Sequence, residues 1–186
     1  MNRQKRLLLP VLAVLVTVIA TASALAAAGG LPKRRAFPKK PINIEAKRHV
    51  NPKVTRRLRN ATWRWQIVIG LRRARSAAPL DTRRALIYWR RHALHVRRLA
   101  ARPPHKRAWL CIHHFEGSWH DGNDPYWGGL QMDRGFMRSY APRLLLRRGW
   151  ANRWTPLEQM WVAERAHRSG RGYGPWPNTA RYCGLL

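Results

Sequence analysis

The chain has few acidic residues and only two cysteines. Eight Asp and Glu stand against 37 Lys and Arg, so the formal net charge over 186 residues is +29. Two cysteines permit a single disulfide pairing. They are too far apart in the sequence for a zinc motif, and His113 and His114 are adjacent rather than one helical turn apart. We therefore expect no metal site, and no cofactor.

Acidic residues are scarcest in the first part of the chain after residue 30. Between Leu31 and Ala108, Glu45 and Asp81 face 24 Lys and Arg, a balance of +22, whereas residues 109–186 hold ten Arg and six acids, a balance of +4. A chain this basic usually binds nucleic acid. The sequence contains no recognised nucleic-acid-binding motif, and the N-terminus indicates export, so we expect no nucleic-acid partner.

The first 28 residues have the pattern of a signal peptide. Three basic residues precede a predominantly apolar run from Leu7 to Ala20, and small residues in A-x-A patterns follow it. No charge occurs between Leu7 and Pro32, which is long enough to span a bilayer, so an uncleaved membrane anchor is the alternative. In both cases the residues after Gly30 are exported, which predicts a secreted or cell-wall location.

Two basic segments follow the predicted signal peptide. Residues 29–60 are rich in Lys, Arg and Pro and poor in large apolar residues, which predicts a disordered linker. Residues 61–104 are predicted to be a basic helical region, whose main helix is capped by Asp81 and ended by Pro103. Pairs of arginines recur every seven residues along this helix, at positions 83–84, 90–91 and 97–98. A solvated basic face and a face that binds anionic wall polymers or a membrane surface are both consistent with this pattern.

Residues 105–186 are predicted to form a small α+β domain. In chain order, the expected elements are a helix over Lys106–Glu116, a hairpin over Tyr126–Met132, a helix over Met137–Arg148 interrupted near Pro142, and a helix that Thr155 caps and Gly170 ends. Because the N-terminus indicates export, Cys111 and Cys183 are expected to form a disulfide.

Glu116 is the candidate catalytic residue. It ends the first helix of this domain, and ten residues later comes the segment Tyr126-Trp127-Gly128-Gly129-Leu130-Gln131-Met132. Paired glycines beside aromatic residues allow an extended ligand to approach the backbone closely, and a sugar polymer suits such a cleft. Trp119 and Trp127 flank the proposed cleft and are the candidates for contact with sugar rings.

Residues 109–183 resemble the transglycosylase-like domain of the resuscitation-promoting factors, which are secreted lysozyme-like proteins. The resemblance rests on four pieces of sequence in family order: Glu116-Gly117-Ser118-Trp119, Tyr126-Trp127-Gly128-Gly129-Leu130-Gln131, Ala163-Glu164-Arg165 and Trp176-Pro177. It implies a compact α+β relative of lysozyme in which Glu116 is the catalytic acid that attacks peptidoglycan glycan strands. The expected substrate-binding residues are Trp119, Tyr126, Trp127, Gly128, Gly129, Gln131 and Asp133.

Two departures from the family pattern concern the disulfide and the substrate site. The family usually places its first cysteine immediately before the catalytic glutamate, whereas Cys111 lies five residues before Glu116. Cys183 is also displaced, so the bridge is expected to have moved along the domain rather than to have been lost. Where the family usually has a threonine associated with substrate positioning, this chain has Phe136.

The number of carboxylates limits the possible mechanisms. Hydrolysis by the usual routes requires a second carboxylate besides Glu116, and the candidates are Asp121, Asp124 and Asp133. A lytic transglycosylase requires only one, so the sequence permits both reactions. Glu164 lies on the inner face of its helix, where a structural hydrogen bond or ion pair is expected.

These patterns predict a secreted enzyme that cleaves peptidoglycan glycan strands. Two other classes remain open at this stage. One is a non-catalytic peptidoglycan-binding or signalling protein, and the other is a cationic membrane-active protein that acts through the arginine-rich helix.

Overall fold

The computed structural model describes residues 50–186, which belong to one compact unit. The predicted signal peptide and the first part of the predicted linker lie outside the described residues. The elements in chain order are α1 (Pro52–Ile69), α2 (Arg83–Ala100), α3 (Lys106–Glu116), α4 (Arg134–Tyr140), α5 (Arg143–Leu146), a 3-10 turn (Ala151–Arg153), α6 (Pro156–Ala166), a π-helical turn (His167–Arg171) and α7 (Pro177–Tyr182).

The expected α+β class is wrong, because residues 50–186 are helical and contain no β-strand. The predicted hairpin is reduced to one antiparallel bridge between Trp127 and Met132. Gly128 and Gln131 have positive φ angles of 75° and 45°, and these close a tight turn directly after Trp127. Asp133 then starts α4 by accepting a hydrogen bond from the Phe136 amide. The segment between Trp127 and Asp133 is therefore too short to form a β-strand.

The helix that starts at Thr155 has the predicted beginning. The Thr155 hydroxyl accepts from the Glu158 amide and the Glu158 carboxylate accepts from the Thr155 amide, so the capping box is confirmed. α2 begins differently from the prediction, since its N-cap is Thr82, which accepts from Ala85 N, and not Asp81. Asp81 and Thr82 are adjacent and both can cap a helix, so the sequence alone does not determine which of them is the N-cap.

The predicted disordered linker extended to residue 60, but α1 already begins at Pro52, with Asn51 as its N-cap. Large apolar residues are few in this part of the sequence, and two of the positions that α1 buries are threonines. Thr55 and Thr62 are fully buried, and the Thr62 hydroxyl donates to the Leu58 carbonyl at 2.8 Å. Because it is bonded to its own helix, the Thr62 hydroxyl is buried without a large penalty, whereas the buried Thr55 hydroxyl has no hydrogen-bond partner among the described residues.

The predicted boundary at residue 105 does not separate two cores. Val68 and Ile69 of α1 and Val96 and Ala100 of α2 belong to the same apolar cluster as the buried tryptophans of the C-terminal helices. The Trp161 indole N–H donates to the Ala100 carbonyl at 2.8 Å. The hairpin formed by α1 and α2 is therefore part of the core that supports the C-terminal helices.

Arginine side chains also join α1 to α6. The guanidinium of Arg165 donates to the carbonyl oxygens of Ile67 and Val68, which are the last carbonyls of α1. Glu158 is fully buried and accepts from Arg64 of α1 and from Arg148. Burial by itself would raise the pKa of Glu158, but the Thr155 amide and these two guanidinium groups hold that pKa below its ordinary value.

Glu164 has the structural role expected from its position in α6. The carboxylate is fully buried and accepts from the His105 amide at 2.7 Å and from the Trp109 indole N–H at 2.8 Å. Its second oxygen lies 3.1 Å from His105 Nδ1. Since these bonds fix the beginning of α3 against α6, Glu164 orients the helix that carries Glu116.

Candidate active site at the junction of α3 and α7

The predicted disulfide between Cys111 and Cys183 is confirmed, with the two Cα atoms 6.0 Å apart. It joins α3 to the residue that follows α7. The Cys183 amide donates to the Thr179 carbonyl at 3.0 Å, so Thr179 lies one helical turn before the bridge. Glu116 lies just over one turn beyond the bridge on α3, and the same cross-link therefore holds Glu116 and Thr179 together.

Glu116 is partly buried and faces a residue that the sequence analysis did not select. The Thr179 hydroxyl donates to Glu116 Oε1 at 2.8 Å. Both residues line a cavity of about 210 Å³. The remaining lining residues are Tyr126, Gln131 and residues 175–178, so within residues 50–186 Glu116 is the single acidic side chain in the lining.

Gln131 is held in this cavity by the turn that precedes α4. Its side-chain nitrogen donates to Asp121 Oδ2 at 2.7 Å and to the Gly128 carbonyl at 3.0 Å. Those two bonds use both amide hydrogens, so the amide oxygen is the group that a ligand hydroxyl can reach. The Trp176 indole N–H donates to the carbonyl of Leu130, which fixes the backbone next to Gln131.

Gly128 and Gly129 are buried by the protein itself and do not line the cavity. A Cβ atom on Gly128 would lie 2.4 Å from Gln159 Oε1, and one on Gly129 would lie 2.5 Å from His113 Nδ1. The Gly129 amide also donates to Gln159 Oε1 at 2.9 Å. In this structure, the close approach that requires glycine is made by Gln159 and His113.

Three more of the predicted substrate residues lie away from the lining of this cavity. Trp119 stacks on the His113 ring with the centroids 3.8 Å apart. Trp127 is only 5% exposed. Asp133 caps α4. Of the seven residues predicted to bind substrate, the structure therefore brings Tyr126 and Gln131 together with Glu116.

Each candidate for a second carboxylate already has a structural partner. Asp121 accepts from Gln131 Nε2 and also from the Asn123 amide two residues later, as expected of an aspartate in a turn. Asp124 forms an exposed ion pair with Arg134 at 2.8 Å. Asp133 accepts from a backbone amide at the start of α4. None of the three lines the cavity at Glu116.

Two exposed aromatic residues next to Glu116 were not among the residues predicted from the sequence. Phe115 is 50% exposed and Tyr182 is 74% exposed, and their ring centroids are 5.6 Å apart. Helical spacing from Ala108 and Ile112 predicts an inward-facing Phe115, and the structure shows that this prediction is wrong. Phe115 lies one helical turn after Cys111 and Tyr182 immediately precedes Cys183, so the disulfide brings these two parts of α3 and α7 close together.

Phe136, the residue that departs from the family pattern, is buried behind the cavity. Its ring lies 5.4 Å from that of Trp176, which is itself a lining residue. Phe136 therefore supports the wall of the cavity from the interior, and it does not present a group to a ligand.

Comparison of the chain with family models, with curated proteins and with solved structures finds no match. Within residues 50–186, no helix is long and apolar enough to cross a membrane. The functional interpretation therefore depends on the residues at this site.

Proposed function

We propose that this protein is a secreted enzyme that cleaves the β-1,4 bonds of peptidoglycan glycan strands, with Glu116 as the general acid. The observation that carries the proposal is the position of Glu116, which is the single acidic residue lining a cavity that also contains Gln131 and Tyr126. These residues belong to two of the four motifs on which the resemblance to the resuscitation-promoting factors rests. The disulfide is compatible with an extracellular location.

A lining with one carboxylate favours lytic transglycosylation over hydrolysis. Glu116 donates its proton to the leaving oxygen as the bond between that oxygen and C1 breaks. The resulting carboxylate then accepts the proton of the sugar's own 6-hydroxyl, and O6 bonds to C1 to give a 1,6-anhydro end. This sequence requires no second carboxylate and returns Glu116 to its protonated form.

The neighbours of Glu116 have distinct roles in this proposal. The Thr179 hydroxyl orients the carboxyl group through the bond to Oε1, which leaves the other oxygen to act on the substrate. The Gln131 amide oxygen accepts from a sugar hydroxyl. Tyr126 is 49% exposed and lines the cavity, and Phe115 with Tyr182 forms an exposed aromatic surface next to Glu116. Aromatic rings of this kind stack on the apolar faces of sugars.

The test is digestion of purified peptidoglycan by the mature protein, with mass analysis of the products. We expect products with 1,6-anhydro ends, and we expect Glu116→Gln to give none while it keeps the thermal stability of the wild type. Asp124→Asn is the matched control, since it makes the same chemical change at an exposed carboxylate outside the cavity, and it is expected to remain active. Full activity of Glu116→Gln would exclude this residue as the acid, and reducing ends would exclude transglycosylation.

A non-catalytic peptidoglycan-binding or signalling protein is the second candidate. It is favoured by Phe136, because this residue replaces a threonine that the family associates with substrate positioning. This function predicts sedimentation of the wild type with insoluble peptidoglycan and no soluble product. Glu116→Gln would then sediment as the wild type does.

A further inference from the structure

We propose that the connection between α1 and α2 is a binding site for the phosphodiester groups of an anionic polymer. The site, here called the arginine cradle, is a cavity of about 640 Å³ lined by Trp63, Arg72, Arg73, Ala74 and Arg75. It lies outside the α3–α7 junction and does not depend on the function of Glu116.

The backbone of the arginine cradle is held in place although it has no regular secondary structure. The Trp63 indole N–H donates to the Ala74 carbonyl at 2.8 Å, and the Ala74 amide donates to the side chain of buried Gln66 at 2.9 Å. The Tyr88 hydroxyl donates to the Arg75 carbonyl at 2.6 Å. Bonds from both helices therefore fix the loop, and much of the entropic cost of ordering a binding loop is already met in the free protein.

The side chains of the arginine cradle remain available to a ligand. Arg72, Arg73 and Arg75 are all exposed, and in the described part of the chain no carboxylate forms an ion pair with them. The guanidinium of Arg73 lies 5.4 Å from the Trp63 ring centroid, and that of Arg59 lies 4.6 Å from it. A guanidinium stacked on an indole keeps its N–H edges free, and these edges match the oxygens of a phosphate group.

Charge repulsion supports an anionic ligand at this site. Three arginines within four residues repel one another, and α1 and α2 together with their connection contain a single acidic residue, Asp81. A bound anion relieves this repulsion, and phosphate oxygens accept several guanidinium hydrogen bonds at once. The cavity therefore favours a phosphate group over a neutral sugar.

A polymer in solution fits the arginine cradle better than a lipid bilayer does. The cavity is concave, so a single phosphate on a flexible chain can enter it, whereas a headgroup in a planar bilayer must bring a flat surface with it. The arginine pairs of α2 extend the positively charged surface beyond the arginine cradle, and they recur every seven residues, or roughly every 10 Å along the helix. Successive phosphates of one polymer chain can contact these pairs.

The proposal is tested by calorimetric titration of the mature protein with a soluble glycerol-phosphodiester oligomer at about 150 mM salt. The cradle variant replaces Arg72, Arg73 and Arg75 with glutamine. The matched control removes the same charge from exposed positions outside α1, α2 and their connection, by replacing Arg138, Arg143 and Arg147 with glutamine. Thermal melting of both variants shows whether each remains folded.

We expect the cradle variant to bind the oligomer at least about tenfold more weakly, because three charge-assisted contacts are lost. The slope of log affinity against log salt should decrease in magnitude by about 2, since each phosphate contact on a single-stranded polyanion contributes roughly 0.7. The control variant should lose less than about threefold.

Three results would overturn the proposal. Equal losses in the two variants would mean that only net charge matters. Equal binding of a carboxylate polymer of the same length and charge would mean that the site does not recognise phosphate. Binding to vesicles of phosphatidylglycerol and phosphatidylcholine that depends on the cradle, without binding to the oligomer, would assign the site to a membrane surface.

Discussion

Removal of α1 and α2 tests how far the C-terminal helices depend on the N-terminal hairpin. A fragment of residues 105–186 keeps Glu116, Thr179 and the disulfide, and its own charge is modest. Among the buried apolar side chains that it loses from the shared core are Val68, Ile69 and Val96, which are 0%, 4% and 2% exposed. Burial of such side chains contributes roughly 1.5 to 3 kcal/mol each, so their loss costs about 5 to 9 kcal/mol.

Polar contacts add to this loss. Without α1, the guanidinium of Arg165 loses its carbonyl acceptors at Ile67 and Val68. Glu158 loses its ion pair with Arg64 and keeps the one with Arg148. Without α2, the indole N–H of Trp161 has no acceptor at Ala100. A native domain has a total unfolding free energy of only about 5 to 15 kcal/mol. We therefore expect the fragment to lack a cooperative thermal transition, although the disulfide is present in both chains.

The assay is thermal melting by circular dichroism of residues 105–186 against residues 50–186. A point substitution provides an independent measurement in the full chain, because Val68→Ala should lower the unfolding free energy by about 2 kcal/mol and Tm by about 6 °C. Val54→Ala is the matched control, since Val54 lies on the same helix but is 45% exposed, and it should cost less than about 0.5 kcal/mol. A fragment that melts cooperatively within a few degrees of the longer chain would refute this reasoning.

Thr179→Val should lower kcat roughly ten- to a hundredfold with little change in KM, because it deletes the hydroxyl bonded to Glu116. Thr179→Ser keeps that hydroxyl and should leave kcat unchanged, which would identify the hydroxyl as the cause. Replacement of Cys111 and Cys183 by serine should reduce the unfolding free energy by roughly 4 kcal/mol in denaturant titrations, and two titratable thiols in the native protein would contradict the bridge. The pKa of Glu158 is lowered in the folded state, so its contribution to stability is present above pH 4.5 and is lost as the pH falls through the folded pKa. Glu158→Gln should flatten the dependence of Tm on pH in that acidic range, and an unchanged profile would show that another group is responsible.

Several local features could be predicted because they depend on residues close together in the sequence. The bounds of α3 match the predicted helix Lys106–Glu116, and the capping box at the start of α6 was recognised from Thr155 and Glu158. The disulfide followed from the presence of two cysteines in a chain with an export pattern. Helix bounds and caps depend on neighbouring residues, and two cysteines allow only one pairing, so these features could be predicted without the tertiary structure.

Other features were decided by contacts between distant parts of the chain. The paired glycines were interpreted as a surface for a ligand, but Gln159 and His113 fill the space beside them. Residues 52–60 were predicted to be part of a disordered linker, yet they form the first half of α1, and Val68 and Ile69 of its last turn lie in the same core cluster as residues of α2 and α6. Periodicity and composition describe which residues can be buried, and they do not identify the neighbour that buries them.

The composition and motifs of this chain by themselves determined its strong positive charge, the bounds of α3, the start of α6 and the disulfide, and they singled out Glu116 as a candidate. Only the tertiary structure brought Thr179 to the Glu116 carboxylate and held the arginines of residues 72–75 around one cavity. The physical reason is the range of the interactions. Caps and turns are satisfied within a few residues, whereas a site is assembled by the packing of helices whose relative placement depends on the whole core.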